Sequence, residues 1–385
     1  MSWDTAYTEI AEKLNAIKKE HGPKAVAWYT GYPKWYRPWL HRMAYSFGSL
    51  NYGTESSSCF RATDMAWKTV AGRNFRPDLA NAKVYLGWGS NELVNFYIPG
   101  RGLAAFKERG GKIIIVDPRV TPTSQRLADI HLQLRPGTDG ALALGMANLM
   151  FQKGWADLDF LQKYTHGLKE YQEYVRRFTL AETERITGVP KEKILAAVEL
   201  IATEGPTASY MPSATITHHI NGYNNMRAII TLLAVTGNID RKGGMLPIYP
   251  TYVYADCGFE TMEERFIDDK LPKDSKPKIG AKRFPVWNEL VNEFQAMDLV
   301  RQVNEGTPYP VKALMAFGMN NRMFPQPQDM LDCFENLDLV VATDLAMTDV
   351  CNHADYVLPV CTSLERSELK SYPGGFMTCT TPAIQ

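Results

Sequence analysis

The sequence predicts an α/β protein of two interleaved, doubly wound domains with mainly parallel sheets. Three observations predict it. Short β-rich runs alternate with helical patterns along most of the chain, one strand–turn–helix–strand order occurs twice, and 385 residues exceed what one hydrophobic core normally serves.

The first segment, MSWDTAYTEIAEKLNAIKKEHG, reads as an amphipathic helix capped by Asp4 rather than as a signal peptide. Strands are predicted at KAVAWYTG (24–31), AKVYLGWGS (82–90), GKIIIVDP (111–118), IHLQLRPG (130–137), TASYMPSAT (207–215), KALMAFGMN (312–320), LDLVVATD (337–344) and ADYVLP (354–359). Helical periodicity falls at 101–109, 140–152, 191–203, 222–236 and 326–335. The stretch 250–285, rich in Pro, Lys, Asp and Glu, reads as a surface insertion or long loop.

The duplicated order is VYLGWGSNE, helix, IIIVDPR, LADIHLQL, and again ALMAFGMNN, helix, LVVATDL, HADYVLPV. Asn91, Asp117 and Asp129 are echoed at nearly equal spacings by Asn320, Asp344 and Asp355. In an open α/β sheet, ligands bind beyond the carboxyl ends of the strands, close to helix N-termini. Glycine there lets backbone approach a pyrophosphate, and an aspartate ending the next strand accepts hydrogen bonds from a ribose or a base. Two such units imply two similar nucleotide-type sites.

In the turn RPGTDGA (135–141), Asp139 can accept two N–H donors from a guanine-like edge, or can cap the helix that follows. A single Gly-x-Asn turn after a strand is commonplace; its repetition in order is the signal. Asp129 and Asp355 read as structural, and Arg119, Arg126 and Arg135 as phosphate partners or solvated charges.

Apolar residues make up 45% and charged residues 22% of the chain, and 42 basic residues balance 42 acidic ones. That balance argues against a general nucleic-acid binder or a polybasic membrane-surface protein. No apolar run is long enough to span a bilayer. The six cysteines form no C-x-x-C, so structural zinc and cysteine-held iron–sulfur spacings are absent. Five read as reduced, mostly buried thiols. Cys59, in GTESSSCFRATDMAW (53–67), stands apart, in a small polar run followed by a helix.

The phrases SWDTAYTEIAEKL, YLGWGSNE, GGKIIIVDPRVTPTSQRLADIHLQLRPGTDGALALGMANLM, ITGVPKEKILAAVELIA, TLLAVTGNIDRKGG and ADYVLPVCTSLERSE cover most of the chain. In that order they resemble the molybdenum or tungsten enzymes of the dimethyl-sulfoxide-reductase superfamily, with closest likeness to its acetylene-hydratase-like branch. The resemblance implies two interleaved Rossmann-like domains, 1–58 plus 215–385 and 59–214, each binding one pterin guanine dinucleotide. It implies a bis-molybdopterin guanine dinucleotide cofactor carrying Mo or W, with Cys59 as the metal's protein ligand; a thiolate suits such a metal.

Carried onto this chain, Gly87, Trp88, Gly89, Ser90, Asn91, Asp117, Arg119, Gly137, Thr138 and Asp139 would hold one guanine dinucleotide. Gly318, Met319, Asn320 and Asp344 would hold the other. His218 and His219, in TITHHINGYNN (215–225), would manage a proton near the metal or form a hydrogen-bonding pair in a loop.

The family's N-terminal iron–sulfur module, with its 4Fe-4S cluster, and its C-terminal β-barrel have no counterpart in this sequence, which therefore reads as a central fragment. The expected activity is a two-electron redox reaction, or an oxygen-atom or hydroxyl transfer, on a small-molecule substrate, with electrons passed to an iron–sulfur partner subunit. A tungsten-dependent hydratase of the acetylene type is the alternative within the family, and a cofactor-free scaffold in an electron-transfer complex the alternative outside catalysis. A nicotinamide, flavin or thiamine enzyme ranks below these, because no G-x-G-x-x-G opens a helix after an early strand. Neither nucleic acid nor direct membrane insertion is expected, and the compartment, cytoplasmic or exported, is left open.

Overall fold

The computed structural model describes residues 1–32, 36–95, 97–248, 270–272, 277–372 and 376–384. Cys257 and most of the 250–285 stretch lie outside the described residues. The chain forms two compact units, unit 1 from Met1–Arg61 and Tyr249–Gln385 and unit 2 from Ala62–Ile248. The strands in chain order are β1 (Val26–Thr30), β2 (Tyr52–Thr54), β3 (Phe75–Pro77), β4 (Val84–Trp88), β5 (Lys112–Val116), β6 (Ile130–Leu132), β7 (Thr207–Tyr210), β8 (Met245–Pro247), β9 (Ala313–Phe317), β10 (Leu339–Asp344), β11 (Tyr356–Pro359), β12 (Glu368–Tyr372) and β13 (Phe376–Thr380).

Unit 1 holds a parallel five-stranded sheet in the order β11-β10-β9-β1-β2, and unit 2 a parallel four-stranded sheet in the order β6-β5-β4-β7. Both are doubly wound orders, each reversing direction once, between β9 and β1 in unit 1 and between β4 and β7 in unit 2. The central strands are apolar on both faces because both faces are covered. In β1, Ala27 and Tyr29 enter one core while Val26 and Trp28 enter the other. In unit 2, Leu86 and Ile114 face the larger core, and Tyr85 and Ile113 the smaller. Each such buried aliphatic side chain stabilises its unit by about 1.5–3 kcal/mol. Two short antiparallel pairs, β3–β8 and β12–β13, complete the strands.

Three expectations need correction. The first helix, Trp3–His21, is capped by Ser2, whose side chain accepts the Thr5 N–H at 3.1 Å; Asp4 lies in its first turn. The chain returns to unit 1 at 248/249 instead of 214/215, and it first leaves at 61/62. The physical reason is the Gly222–Val235 helix, which packs on the Asp139–Lys153 helix and puts Met226, Ile229 and Leu233 into the unit 2 core. Cys333 and Cys351 are buried thiols as expected, but Cys361 and Cys379 are exposed.

The duplicated order reappears as duplicated geometry. Asp129 Oδ2 accepts the Ile113 N–H at 2.7 Å, and the Asp129 N–H donates to the Ile113 carbonyl at 2.8 Å. Asp355 does the same with Val340, at 2.7 and 2.9 Å. The repeated Ala-Asp pairs are braces that pin the third strand of each repeat to the start of the second.

Candidate functional site

At the carboxyl end of β4, Gly89 adopts φ 66° and its N–H donates to the Val116 carbonyl at 2.6 Å. At the carboxyl end of β9, Gly318 adopts φ 61° and its N–H donates to the Thr343 carbonyl at 2.8 Å. A left-handed residue here turns the chain sharply off the sheet without a side chain in the crevice. A Cβ on Gly89 would sit 2.5 Å from Thr215 Oγ1, across the reversal point from β7. Gly31, which follows β1, is packed still more closely, for a Cβ there would clash with the Gly318 carbonyl oxygen.

A cavity opens beyond each of these turns. In unit 2 it has a volume of ≈ 450 Å³ and is lined from the ends of β4 (Gly89), β5 (Asp117, Arg119) and β6 (Gly137, Asp139), and from beyond β7 (Thr215, His219). In unit 1 it measures ≈ 680 Å³ and is lined from the ends of β9 (Gly318), β10 (Asp344) and β11 (Thr362), and from beyond β1 (Tyr36, Trp39). The two cavities occupy corresponding places on their sheets, where open α/β folds bind ligands.

In the unit 2 cavity Asp117 is buried, and its Oδ1 accepts the Arg119 N–H at 2.8 Å, a tight local turn. The Arg119 side chain is 72% exposed and lines the cavity, with Nε 3.7 Å from the same oxygen. Asp139 lies in the first turn of its helix yet does not cap it. Its Oδ1 instead accepts the Trp88 indole N–H at 2.8 Å, which turns the carboxylate toward the cavity end of the sheet. Burial pushes the Asp139 carboxyl above its ordinary range; the Trp88 N–H opposes the rise and the Asp117 charge adds to it.

The other expected residues fall elsewhere. Gly87 lies within β4, where a Cβ would meet Ile115 Cδ1 at 2.7 Å, and Trp88 is core. Ser90 Oγ donates to the buried Glu92 at 2.8 Å, and Tyr85 O–H donates to the same oxygen. Asn91 Oδ1 accepts the Thr123 hydroxyl at 2.9 Å, tying the turn after β4 to the first turn of the Pro122–Leu127 helix. Thr138 O–H donates to the Arg135 carbonyl at 2.7 Å, while Arg135 donates to the carbonyls of Arg185 and Ile186. In unit 1, Met319 is core, and Asn320 is exposed with its side chain accepting the Arg322 N–H at 3.0 Å. Burial pushes the Tyr36 phenol in that cavity up to about 12, the Arg37 charge opposing and the Asp344 carboxylate adding to the rise.

Cys59, in unit 1, follows the 3-10 turn Glu55–Ser58 and is partly exposed. A clamp that the sequence does not signal fixes its loop. Glu293, 5% exposed, accepts the Thr54 hydroxyl on one oxygen at 2.7 Å and the Arg61 guanidinium on the other at 3.1 Å, so it grips the chain on both sides of Cys59. Glu55 pairs with Arg37, and Ser57 Oγ accepts the Ala296 N–H at 3.2 Å. His219 lines the unit 2 cavity; His218 is not among its lining residues. Among the described residues no three His, Cys, Asp or Glu side chains gather to hold a metal. No helix among them is long and apolar enough to cross a membrane.

Each unit thus carries a crevice at the point where its strand order reverses, the place where open α/β folds bind ligands. The family profile described as molybdopterin oxidoreductase matches residues 1–385, and the chain belongs to that family. It is 30% identical over 375 residues to the thiosulfate reductase molybdopterin-containing subunit PhsA of Salmonella typhimurium, covering 96% of this chain and 49% of that protein. It is 29% identical over 390 residues to acetylene hydratase of Syntrophotalea acetylenica, covering 95% and 53%. The solved structure of acetylene hydratase from Pelobacter acetylenicus superposes with a TM-score of 0.83 at 27% identity, over 100% of this chain and 56% of that one. The chain thus spans about half the length of these relatives. The family implies a molybdopterin cofactor.

Proposed function

We propose that this chain is the cofactor-holding core of a catalytic subunit whose metal is carried by two molybdopterin guanine dinucleotides. The observation that supports it best is the repetition of one crevice, with Gly89, Asp117 and a cavity in unit 2 matched by Gly318, Asp344 and a cavity in unit 1. The residues present fit such groups. Gly89 leaves no room for its own Cβ, so backbone alone meets the ligand, and Asp117 and Asp139 bring carboxylate acceptors to the cavity that suit the N–H edge of guanine. Arg119 and the backbone at Gly137 serve the phosphates of the first dinucleotide. Gly318 and Asp344 serve the second, with Tyr36 and Trp39 as aromatic wall.

Cys59 is the proposed protein ligand to Mo or W, held in place by the Glu293 clamp, with the remaining ligands coming from the cofactor. A metal of this type supplies two-electron chemistry when bound. What the chain contributes is a fixed thiolate, two gripped nucleotide ends and polar groups, His218 and His219 among them, that hold protons. The relative named thiosulfate reductase supports a redox reaction on a small substrate, to which the proposal adds an iron–sulfur electron-transfer partner and a 4Fe-4S cluster. The relatives named acetylene hydratase support the tungsten hydratase alternative.

The test is metal analysis and nucleotide release on the full-length protein, wild type beside Cys59→Ala and Asp139→Asn. About one Mo or W per chain, with GMP released on hydrolysis of the extracted cofactor, is expected. Cys59→Ala should lose the metal or alter its X-ray absorption, and Asp139→Asn should lower GMP content. Well-folded protein made with its cofactor supply intact, yet holding neither metal nor GMP, would leave the scaffold reading. Assays for thiosulfate reduction and acetylene hydration then separate the two enzyme readings.

A further inference from the structure

We infer that Asn225 is a positioning residue that sets the tautomer of His219, so that the neutral ring carries its proton on Nδ1. Asn225 is 1% exposed on the Gly222–Val235 helix, and its amide nitrogen lies 3.3 Å from the Gly137 carbonyl oxygen and 3.2 Å from His219 Nε2. Its oxygen accepts the Asn221 amide at 3.0 Å, and Asn221 in turn accepts from Asn224 at 3.2 Å.

The orientation of the Asn225 amide follows from one partner. A backbone carbonyl can only accept, so the group facing Gly137 O is the NH₂. Reversal would set two acceptors against each other at Gly137 and two donors at Asn221. The same nitrogen faces His219, so its second hydrogen goes to Nε2. Nε2 must therefore be the acceptor, and the ring's proton sits on Nδ1. Gly140 completes the fit, because a Cβ there would lie 2.5 Å from Asn225 Oδ1 and push the amide away.

The consequence concerns the cavity shared by His219, Asp117 and Asp139. Asn225 fastens the carbonyl of the Gly137 turn and the imidazole together, so the turn that presents Asp139 and the ring move as one. His219 then offers a ligand a single N–H donor, suited to a carbonyl or phosphate oxygen. Proton donation from Nε2 is disfavoured, since a hydrogen there would oppose the amide hydrogen. This role deepens the proposed nucleotide site and rests on it for its function, while the tautomer itself can be measured without any ligand.

The experiment is nitrogen-15 spectroscopy of the histidine rings in deuterated, histidine-labelled full-length protein at alkaline pH, with His219 assigned by its loss in His219→Gln. A hydrogen bond of ordinary strength biases the tautomers about tenfold toward Nδ1–H in the wild type. Asn225→Asp, which places an acceptor opposite Nε2, should reverse the preference. Asn225→Ala, which keeps the room and removes the donor, should bring the two forms within about threefold, and it decides the matter if the aspartate variant does not fold. A wild-type ring protonated on Nε2, or an unchanged Nδ1–H excess in Asn225→Ala, overturns the inference. Adding GMP to apoprotein tests the other claim separately, because no shift at His219 would count against the nucleotide reading and leave the tautomer standing.

Discussion

His41 should make unit 1 lose stability on mild acidification. The side chain is 9% exposed, stacked on Tyr52 at 4.1 Å and edge-on to Tyr45 at 4.4 Å, and its buried Nε2 meets no hydrogen-bond partner among the described residues. Burial, with the nearby Lys278 ammonium adding to it, pushes its pKa down to about 3. The unfolded chain therefore takes up a proton near pH 6.5 that the folded chain refuses, so stability falls as pH drops from there toward about 3. For a single histidine the loss is about 1.4 kcal/mol between pH 7.5 and 5.5, and about 2.7 kcal/mol by pH 4.5. His41→Phe keeps a ring in the same slot and removes the titration. Hydrogen exchange of the β1 and β9 amides reports unit 1, and the β4 and β5 amides serve as the internal control. The wild type should show the extra loss at β1 and β9 relative to the variant, with no difference at β4 and β5. Equal losses in both proteins would mean that His41 accepts its proton while folded, and the reasoning from burial would fail. The outcome bears on the unit 1 cavity, because His41 shares its helix with Trp39 and Leu40 on the cavity wall.

Other perturbations follow from single contacts. Asp129→Ala leaves the fully buried Ile113 N–H without its acceptor, costing about 1.5–3 kcal/mol in urea unfolding; Asp355→Ala should cost unit 1 a similar amount, and unequal effects would break the parallel between the braces. Burial alone would raise the Asp129 carboxyl, but the Lys107 ammonium and the Ile113 N–H outweigh it and hold it low. Its contribution is therefore complete above the ordinary carboxylate range and lost as pH falls below it, a slope that Asp129→Asn should remove. Gly31→Ala should cost about 1–3 kcal/mol because the new methyl meets a carbonyl oxygen, whereas Gly102→Ala, with nothing within 4 Å, should raise the melting temperature slightly. Glu293→Ala should loosen both flanks of Cys59 and speed iodoacetamide labelling of apoprotein at that thiol severalfold; an unchanged rate would show that the clamp is idle.

The eight expected strands are all present, and the central ones were the plainest, because a strand covered on both faces is mostly apolar, as KIIIV and LVVAT show. The paired crevices were legible for a related reason: a left-handed turn at the strand end selects glycine, and the next strand ends in aspartate. The same residue types gave poorer guidance where the environment decides. Asn91 and Asn320 occupy matching places in the repeat, but Thr123 holds the first, and the second caps a short turn in solvent. Glu293 was hidden because its partners, Thr54 and Arg61, lie far away in the chain, and no local pattern marks a residue that acts across such a separation. The return point at 248/249 was misplaced because a mostly apolar helix such as Gly222–Val235 does not declare which sheet it covers. The three-residue strands β2, β3 and β8 were missed, whereas β6, equally short, was read because it begins the longer alternating run IHLQL.

The insertion of unit 2 within the sequence of unit 1 sets an order on synthesis. Unit 2 is a single uninterrupted stretch, so it has everything it needs once Ile248 has left the ribosome. Unit 1 does not, because β1 emerges early with only β2 as a neighbour and must wait for β9 to pair along Val26↔Ala313. Meanwhile its apolar residues, Val26 to Tyr29, have no partner on that edge. A nascent chain stalled between Ile248 and Ala313 would thus carry one finished unit and one exposed strand, the species a chaperone would be expected to bind.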